Sequence, residues 1–165
     1  MISFDSSTLI LLAKSDLLKE TLQDFEIIIT DIVKKECAVK GTFDAKLIHT
    51  LISTDDIKVE KKLDKKEIDQ IMKDFNINSG EASALLVAKK REISLATDDG
   101  LTIKACKILN IPFLTAIHFL FHIFESGIIT DREMALVKME KLATFGRYNH
   151  RIIENAISRI KGERQ

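Results

Sequence analysis

Net charge is the first thing this chain lacks: 25 Lys and Arg stand against 25 Asp and Glu, a formal balance of zero. No long-range field draws in an anionic polymer, so any nucleic-acid binding has to come from local contacts, and tight sequence-blind RNA binding is not expected. Cysteine is scarce as well. Cys37 and Cys106 sit in helical patterns without CxxC spacing, which points to reduced, packed thiols in a cytoplasmic protein and excludes a disulfide scaffold. No basic leader or cleavage site precedes Ile2-Ser3-Phe4-Asp5, so no signal peptide is expected. The most apolar stretch, Ile111 to Phe124, contains His118 and His122 and falls short of the ~20 residues a bilayer-crossing helix needs, so no membrane span is expected. P-loop, GxGxxG and nucleophile-elbow patterns are missing, which leaves nucleotide-cofactor and serine-hydrolase chemistry without a motif. There is no repeat, low-complexity tract or Pro-rich linker. What remains is 165 residues with 45% hydrophobic and 30% charged content, enough for one compact domain with a substantial core.

Hydrophobic periodicity divides that domain into alternating short strands and helices. Met1 to Phe4 reads as a buried strand, and Asp5-Ser6-Ser7 caps a helix whose apolar face is Leu9, Ile10, Leu12 and Ala13. Phe25 to Ile29 predicts a second strand, and Thr30-Asp31 caps a helix running to about Val39. Residues 42 to 53 and 64 to 75 read as helices around a strand at Ile57 to Glu60. Ser79-Gly80-Glu81 opens a strong helix through Lys90, Ile93 to Ala96 is a strand, Leu101 to Leu109 a helix, and Pro112 to Leu114 the last strand. Residues 116 to 126, 130 to 144 and 149 to 161 are then all helical, divided by Gly127 and Gly146. A strand that returns parallel needs a helical crossover, so this order predicts a three-layer α/β/α sandwich with a mostly parallel central sheet and extra C-terminal helices.

Five acidic positions fall where a carboxylate is hard to explain as surface. Asp5 and the pair Asp98 and Asp99 each follow an apolar strand, and ligands collect at the carboxyl ends of parallel strands. Glu36 shares a helical face with Ile32 and Val33, while Lys34 and Lys35 take the other side. Glu81 heads the stripe Ala84, Leu85, Ala88 and lies in a first helical turn, where the macrodipole favours an anion. Carboxylates are seldom buried unless paired or metal-bound, and several converging without matching bases repel one another. A hard divalent cation is the natural neutraliser, Mg²⁺ or Mn²⁺ for an all-oxygen set, and no Cys or His cluster has zinc spacing. Such an ion activates water and stabilises charge on a phosphoryl group, the chemistry of metal-dependent phosphodiester hydrolysis. Each position also has a bland role: Asp5 as a helix cap, Glu36 and Glu81 as partly solvated edge residues, Asp98-Asp99-Gly100 as a turn.

The opening Ile2-Ser3-Phe4-Asp5-Ser6-Ser7, a Glu on the helix after the second strand, the run Ser79-Gly80-Glu81-Ala82-Ser83-Ala84-Leu85, and Ala96-Thr97-Asp98-Asp99 resemble, in order and spacing, PIN-domain proteins. The resemblance covers residues 1 to 126, leaving 127 to 165 as a C-terminal helical extension packed on the same domain. It implies a Mg²⁺- or Mn²⁺-dependent ribonuclease in which Asp5, Glu36, Glu81 and Asp98 or Asp99 hold the ion, with Ser6 and Thr97 as hydroxyl support. Many members are toxins of VapC-type toxin–antitoxin pairs, which implies an antitoxin-like protein inhibitor as a partner beside the RNA substrate. Glu81 in place of the commoner Asp, a long segment from 42 to 75 and helices after 130 depart from the commonest toxin pattern.

Two other classes compete. One is a non-catalytic PIN-like interaction or regulatory module that keeps the acidic pocket; metal-dependent RNA cleavage separates it from the enzyme. The other, a phosphoacceptor switch, wants a Lys that is missing before Pro112. His118 and His122 are spaced like a metal pair but lack a third ligand, and read as packing residues. Their helix is apolar nearly all round, so it is either deeply buried or part of a homodimer contact. Lys89-Lys90-Arg91 and the set Arg147, His150, Arg151, Arg159, Lys161 and Arg164 read as solvated helix faces before phosphate contacts. The last helix carries the stripe Ile152, Ile153, Ala156, Ile157, Ile160, suited to docking on a core or a partner helix.

Overall fold

The computed structural model describes residues 1–38 and 41–163. The expected helix end at Val39, and Arg164 of the basic set, lie outside the described residues. Five strands form one sheet in the order β3-β2-β1-β4-β5, with β1 at Ile2–Phe4, β2 at Ile27–Thr30, β3 at Ile57–Glu60, β4 at Ser94–Ala96 and β5 at Phe113–Leu114. Every pairing is parallel. Central β1 is buried throughout, as is β2, the pattern of strands covered on both faces.

Helices α1 (Ser6–Lys14) and α2 (Leu18–Asp24) join β1 to β2, and α3 (Asp31–Glu36) and α4 (Phe43–Ser53) join β2 to β3. The chain then crosses to the other side of β1 through α5 (Lys65–Phe75) and α6 (Ser79–Arg91), and α7 (Gly100–Leu109) links β4 to β5. Right-handed crossovers running in opposite directions along the sheet place α1 and α4 on one face and α5, α6 and α7 on the other, giving the three layers. Helix α3 contacts both α1 and α6.

After β5, α8 (Ala116–Glu125), α9 (Arg132–Phe145) and α10 (His150–Lys161) follow. Helix α8 is covered by α1, α2 and α9, which buries Ala116, Ile117, Phe119, Leu120 and Ile123 within this chain. Phe119 stands 5.3 Å from the Phe4 ring and edge-on to Phe25 at 5.5 Å, tying α8 to β1 and to the end of α2. Helix α9 rests on α1 as well, and its Lys138 is buried where it donates to Glu20 Oε1 at 2.9 Å and to the Asp16 carbonyl. Among the described residues no helix is long and apolar enough to cross a membrane.

Helix α2 is the one element that periodicity did not foresee. Asp16 turns the chain at φ 54, so α1 ends at Lys14 and a new short helix packs Leu18 and Thr21 inward. The second strand consequently starts at Ile27, with Phe25 closing α2. Helix α9 is capped by Asp131, one residue later than the Thr130 box.

Candidate functional site

Strand β1 leads toward β2 on one side, while β4 leads toward β5 on the other, so the sheet's topological switch point lies between β1 and β4. A crevice opens at that point beyond the carboxyl ends of the strands. Phe4 is in register with Ala96, which sets Asp5 and Thr97 side by side just past the sheet. Asp5 is fully buried. Its Oδ1 accepts from the Thr8 amide at 2.8 Å and the Ser7 hydroxyl at 3.1 Å, capping α1. Among the described residues its Oδ2, equally buried, accepts no hydrogen bond. Burial pushes this carboxyl above the ordinary range, only partly offset by the Thr97 hydroxyl nearby and the bonds from Thr8 and Ser7.

Glu36, the last residue of α3, is half-buried and accepts from the Ser6 hydroxyl at 2.5 Å through Oε2. Its carboxylate lies against Gly80 in the first turn of α6: a Cβ there would stand 2.6 Å from Glu36 Cδ. Glycine is needed at that position because a carboxylate occupies the space of a side chain. Glu81 follows directly. Asn78 caps α6 by accepting from the Glu81 amide at 2.9 Å, and the Glu81 carboxylate accepts from the Asn78 amide at 3.0 Å, a closed capping box. Burial raises the Glu81 carboxyl, and the negative charges of Asp99, Asp5 and Glu36 raise it further against the Asn78 bond. Glu81 is therefore within reach of the charge of three acids from other parts of the chain.

Asp98 and Asp99 divide two tasks, as adjacent residues with opposed side chains do. Asp98 accepts from the Thr8 hydroxyl at 3.2 Å, from the Ala116 amide at 3.1 Å at the head of α8, and from the Tyr148 hydroxyl at 2.5 Å. Burial raises its carboxyl, opposed first by the Tyr148 bond. Asp99 caps α7, its Oδ2 accepting from the Thr102 amide at 2.8 Å and hydroxyl at 2.9 Å, which leaves Oδ1 without a hydrogen bond among the described residues. Thr97 Oγ1 accepts from the Asp99 amide at 3.3 Å.

Among the described residues none of these five carboxylates stands within salt-bridge distance of a Lys, Arg or His. Nor do any three His, Cys, Asp or Glu side chains close around a point where an ion would sit; Glu81 is folded back on Asn78 and Asp98 is turned to α8. The donor chemistry fits a hard cation: one buried carboxylate oxygen has no hydrogen bond among the described residues, and the acids around it offer oxygen ligands. Glu81, Asp98 and Asp99 line a cleft of about 580 Å³ together with Phe145, Arg147 and Tyr148, while Asp5 and Glu36 lie outside its lining.

Several site residues escaped sequence reasoning. Thr8 and Tyr148 are long-range partners of Asp98 with no local signal. Gly80 had one, since an unneeded glycine inside a first helical turn implies a close approach. His118 and His122 are exposed rather than packed: His118 Nδ1 accepts from the Thr115 amide at 3.1 Å, and His122 pairs with Asp24 at 2.8 Å.

No curated protein and no solved structure matches the chain. A family model for the PIN domain matches residues 1–162, across both the sheet and the C-terminal helices, and PIN domains are generally nucleases. With a parallel sandwich whose switch point gathers unneutralised acids, and a match over nearly its whole length, this chain belongs to the PIN-domain family.

Proposed function

We propose that this protein is a Mg²⁺- or Mn²⁺-dependent ribonuclease that hydrolyses RNA phosphodiester bonds in the cleft beyond β1 and β4. The observation that carries this reading is the fully buried Oδ2 of Asp5, which among the described residues accepts no hydrogen bond and is set among acids that no base pairs with. Burying an uncompensated carboxylate costs several kcal/mol or shifts its protonation, and a stable fold keeps such a group where something binds it. Asp5, Glu36, Glu81 and Asp99 would hold the ion. Asp98 is left out because its oxygens already hold Thr8, Ala116 and Tyr148. A bound divalent ion supplies Lewis-acid stabilisation of the charge on the phosphate and makes a water nucleophilic at neutral pH. Ser6 holds Glu36 in place and Thr97 flanks Asp5, so the chain's own part is to orient oxygen donors.

One observation favours the second reading, a non-catalytic interaction module: the Glu81 carboxylate closes a capping box instead of facing its neighbours. The test is cleavage of single-stranded RNA by pure protein with Mn²⁺ or EDTA. Asp5→Asn, which keeps the cap, should abolish cleavage with circular dichroism unchanged. Cleavage retained in that variant removes Asp5 from the site, and no metal-dependent cleavage by the unaltered protein favours the module. A toxin role and an antitoxin-like protein inhibitor extend the reading from family resemblance, and growth arrest on expression tests them; the homodimer is read from the apolar face of α8, which α1, α2 and α9 cover within this chain, and the mass in gel filtration tests it.

A further inference from the structure

We propose that the turn between α9 and α10 is the substrate wall of the acidic cleft, with Arg147 contacting a phosphate and Phe145 stacking on a base of single-stranded RNA. This rests on the ribonuclease reading above and adds to it the residues that recognise the strand. Three observations carry it. Arg147 shares the cleft with Glu81, Asp98 and Asp99, yet among the described residues it pairs with no carboxylate, whereas Arg91 and Arg159 are ion-paired. A guanidinium left free beside three carboxylates has its donors available for an anion brought into the cleft.

Phe145 ends α9 with 52% of its surface exposed on the same wall, and Lys14 Nζ stands 6.0 Å from its ring centre. An exposed ring with a cation beside it suits a nucleobase, which has a π-face whatever its identity and a phosphate next to it in the strand. This combination also answers the charge problem of the cleft. Its acids repel a polyanion, so a strand needs positive charge on the opposite wall to enter.

The wall is built rather than loose. Tyr148 donates to Asp98, and Gly146 makes the turn possible: a Cβ there would lie 2.6 Å from the Tyr148 ring and 2.7 Å from the Leu142 carbonyl oxygen. The backbone of Arg147 is thus set between a glycine and an anchored ring, in the turn that lines the cleft.

The test is fluorescence anisotropy with a short labelled single-stranded RNA of mixed sequence, in the Asp5→Asn background so that the probe survives. Arg147→Ala and Phe145→Ala should each weaken binding about tenfold, with Arg147→Ala also lowering the salt slope by about one. Arg132→Ala, which removes the same charge from the exposed start of α9, should leave affinity unchanged. Arg147→Lys should keep more affinity than Arg147→Ala. On the otherwise unaltered chain, both alanine variants should raise KM more than they lower kcat. Unchanged affinity and KM in a protein that still cleaves RNA overturn the wall and leave the nuclease standing, giving the turn to a protein partner. Losses equal to that of Arg132→Ala also overturn it, as bulk charge. Absence of both binding and cleavage in every form overturns the wall and the nuclease together.

Discussion

The Tyr148 hydroxyl donates to Asp98 Oδ1 at 2.5 Å, joining the turn before α10 to the second residue after β4. Burial and the adjacent Asp98 charge hold the Tyr148 hydroxyl protonated far above its usual range. The donor proton therefore stays on Tyr148 at neutral pH. Tyr148→Phe keeps the ring and removes only the donor to a charged acceptor, at a cost of about 1.5–3 kcal/mol. Urea unfolding should show this as a lower midpoint with an unchanged slope, and the loss should shrink sharply in an Asp98→Asn background, where the acceptor is no longer charged.

Three carboxyls of the cleft, Asp5, Glu81 and Asp98, are all raised, chiefly by burial. An acid whose pKa is higher folded than unfolded binds more protons in the native state between those two values, so stability falls as pH rises through that window. The metal-free protein should be more stable in mild acid than at neutral pH, opposite to the usual acid sensitivity of salt-bridged carboxylates. Thermal melts in EDTA across that range measure it. Asp5→Asn should flatten the profile and raise the neutral-pH melting temperature; a profile that keeps its slope in this variant places the cost elsewhere.

The same cluster predicts a response to metal. An ion that binds only the folded state adds RT ln(1 + [L]/Kd), about 2.7 kcal/mol at a hundredfold excess over Kd. Mn²⁺ should raise the melting temperature of the unaltered chain and do little for Asp5→Asn. Equal shifts in both mean that the ion binds away from Asp5.

How much of this was legible before the structure depends on the range of each interaction. Asp5, Asp98 and Asp99 are placed by strand ends, and Glu36 and Glu81 by helical stripes, so short-range periodicity brings them to one sheet edge once the sheet is taken as parallel. The Asn78–Glu81 box was also local, an Asn three residues before a Glu, although the pattern read as opening at Ser79. Division of labour between Asp98 and Asp99 was not legible, because it is decided by Tyr148, Thr8 and the head of α8, all distant in the chain. Helix α2 was missed because seven residues are too few for a 3.6-residue period to stand out. Arg147 was indistinguishable from its solvated neighbours until the turn placed it in the lining of the same cleft as Glu81, Asp98 and Asp99.

Lys138 reads as a surface residue of a charged helix, yet it is buried and joins α9 to the turn between α1 and α2 through Glu20 and the Asp16 carbonyl. Lys138→Met keeps the aliphatic volume and strands both acceptors. The expected cost is about 1–3 kcal/mol in chemical denaturation. A neutral or stabilising result would mean that water replaces the ammonium at no loss.

Gly80→Ala separates two opposed effects by sign. In an ordinary helical turn, Ala in place of Gly stabilises by roughly 0.5–1 kcal/mol. Here the new methyl would stand 2.6 Å from Glu36 Cδ, and the Glu36 carboxylate is itself held by Ser6 at 2.5 Å. The carboxylate has to leave its place, so the substitution should destabilise by about 1–3 kcal/mol as overpacking does, and cleavage should fall with it. Gly80→Ala combined with Glu36→Ala removes the clash and should recover the stability but not the cleavage. Recovery of both would mean that Glu36 only fills space beside Gly80 and takes no part in the chemistry of the cleft.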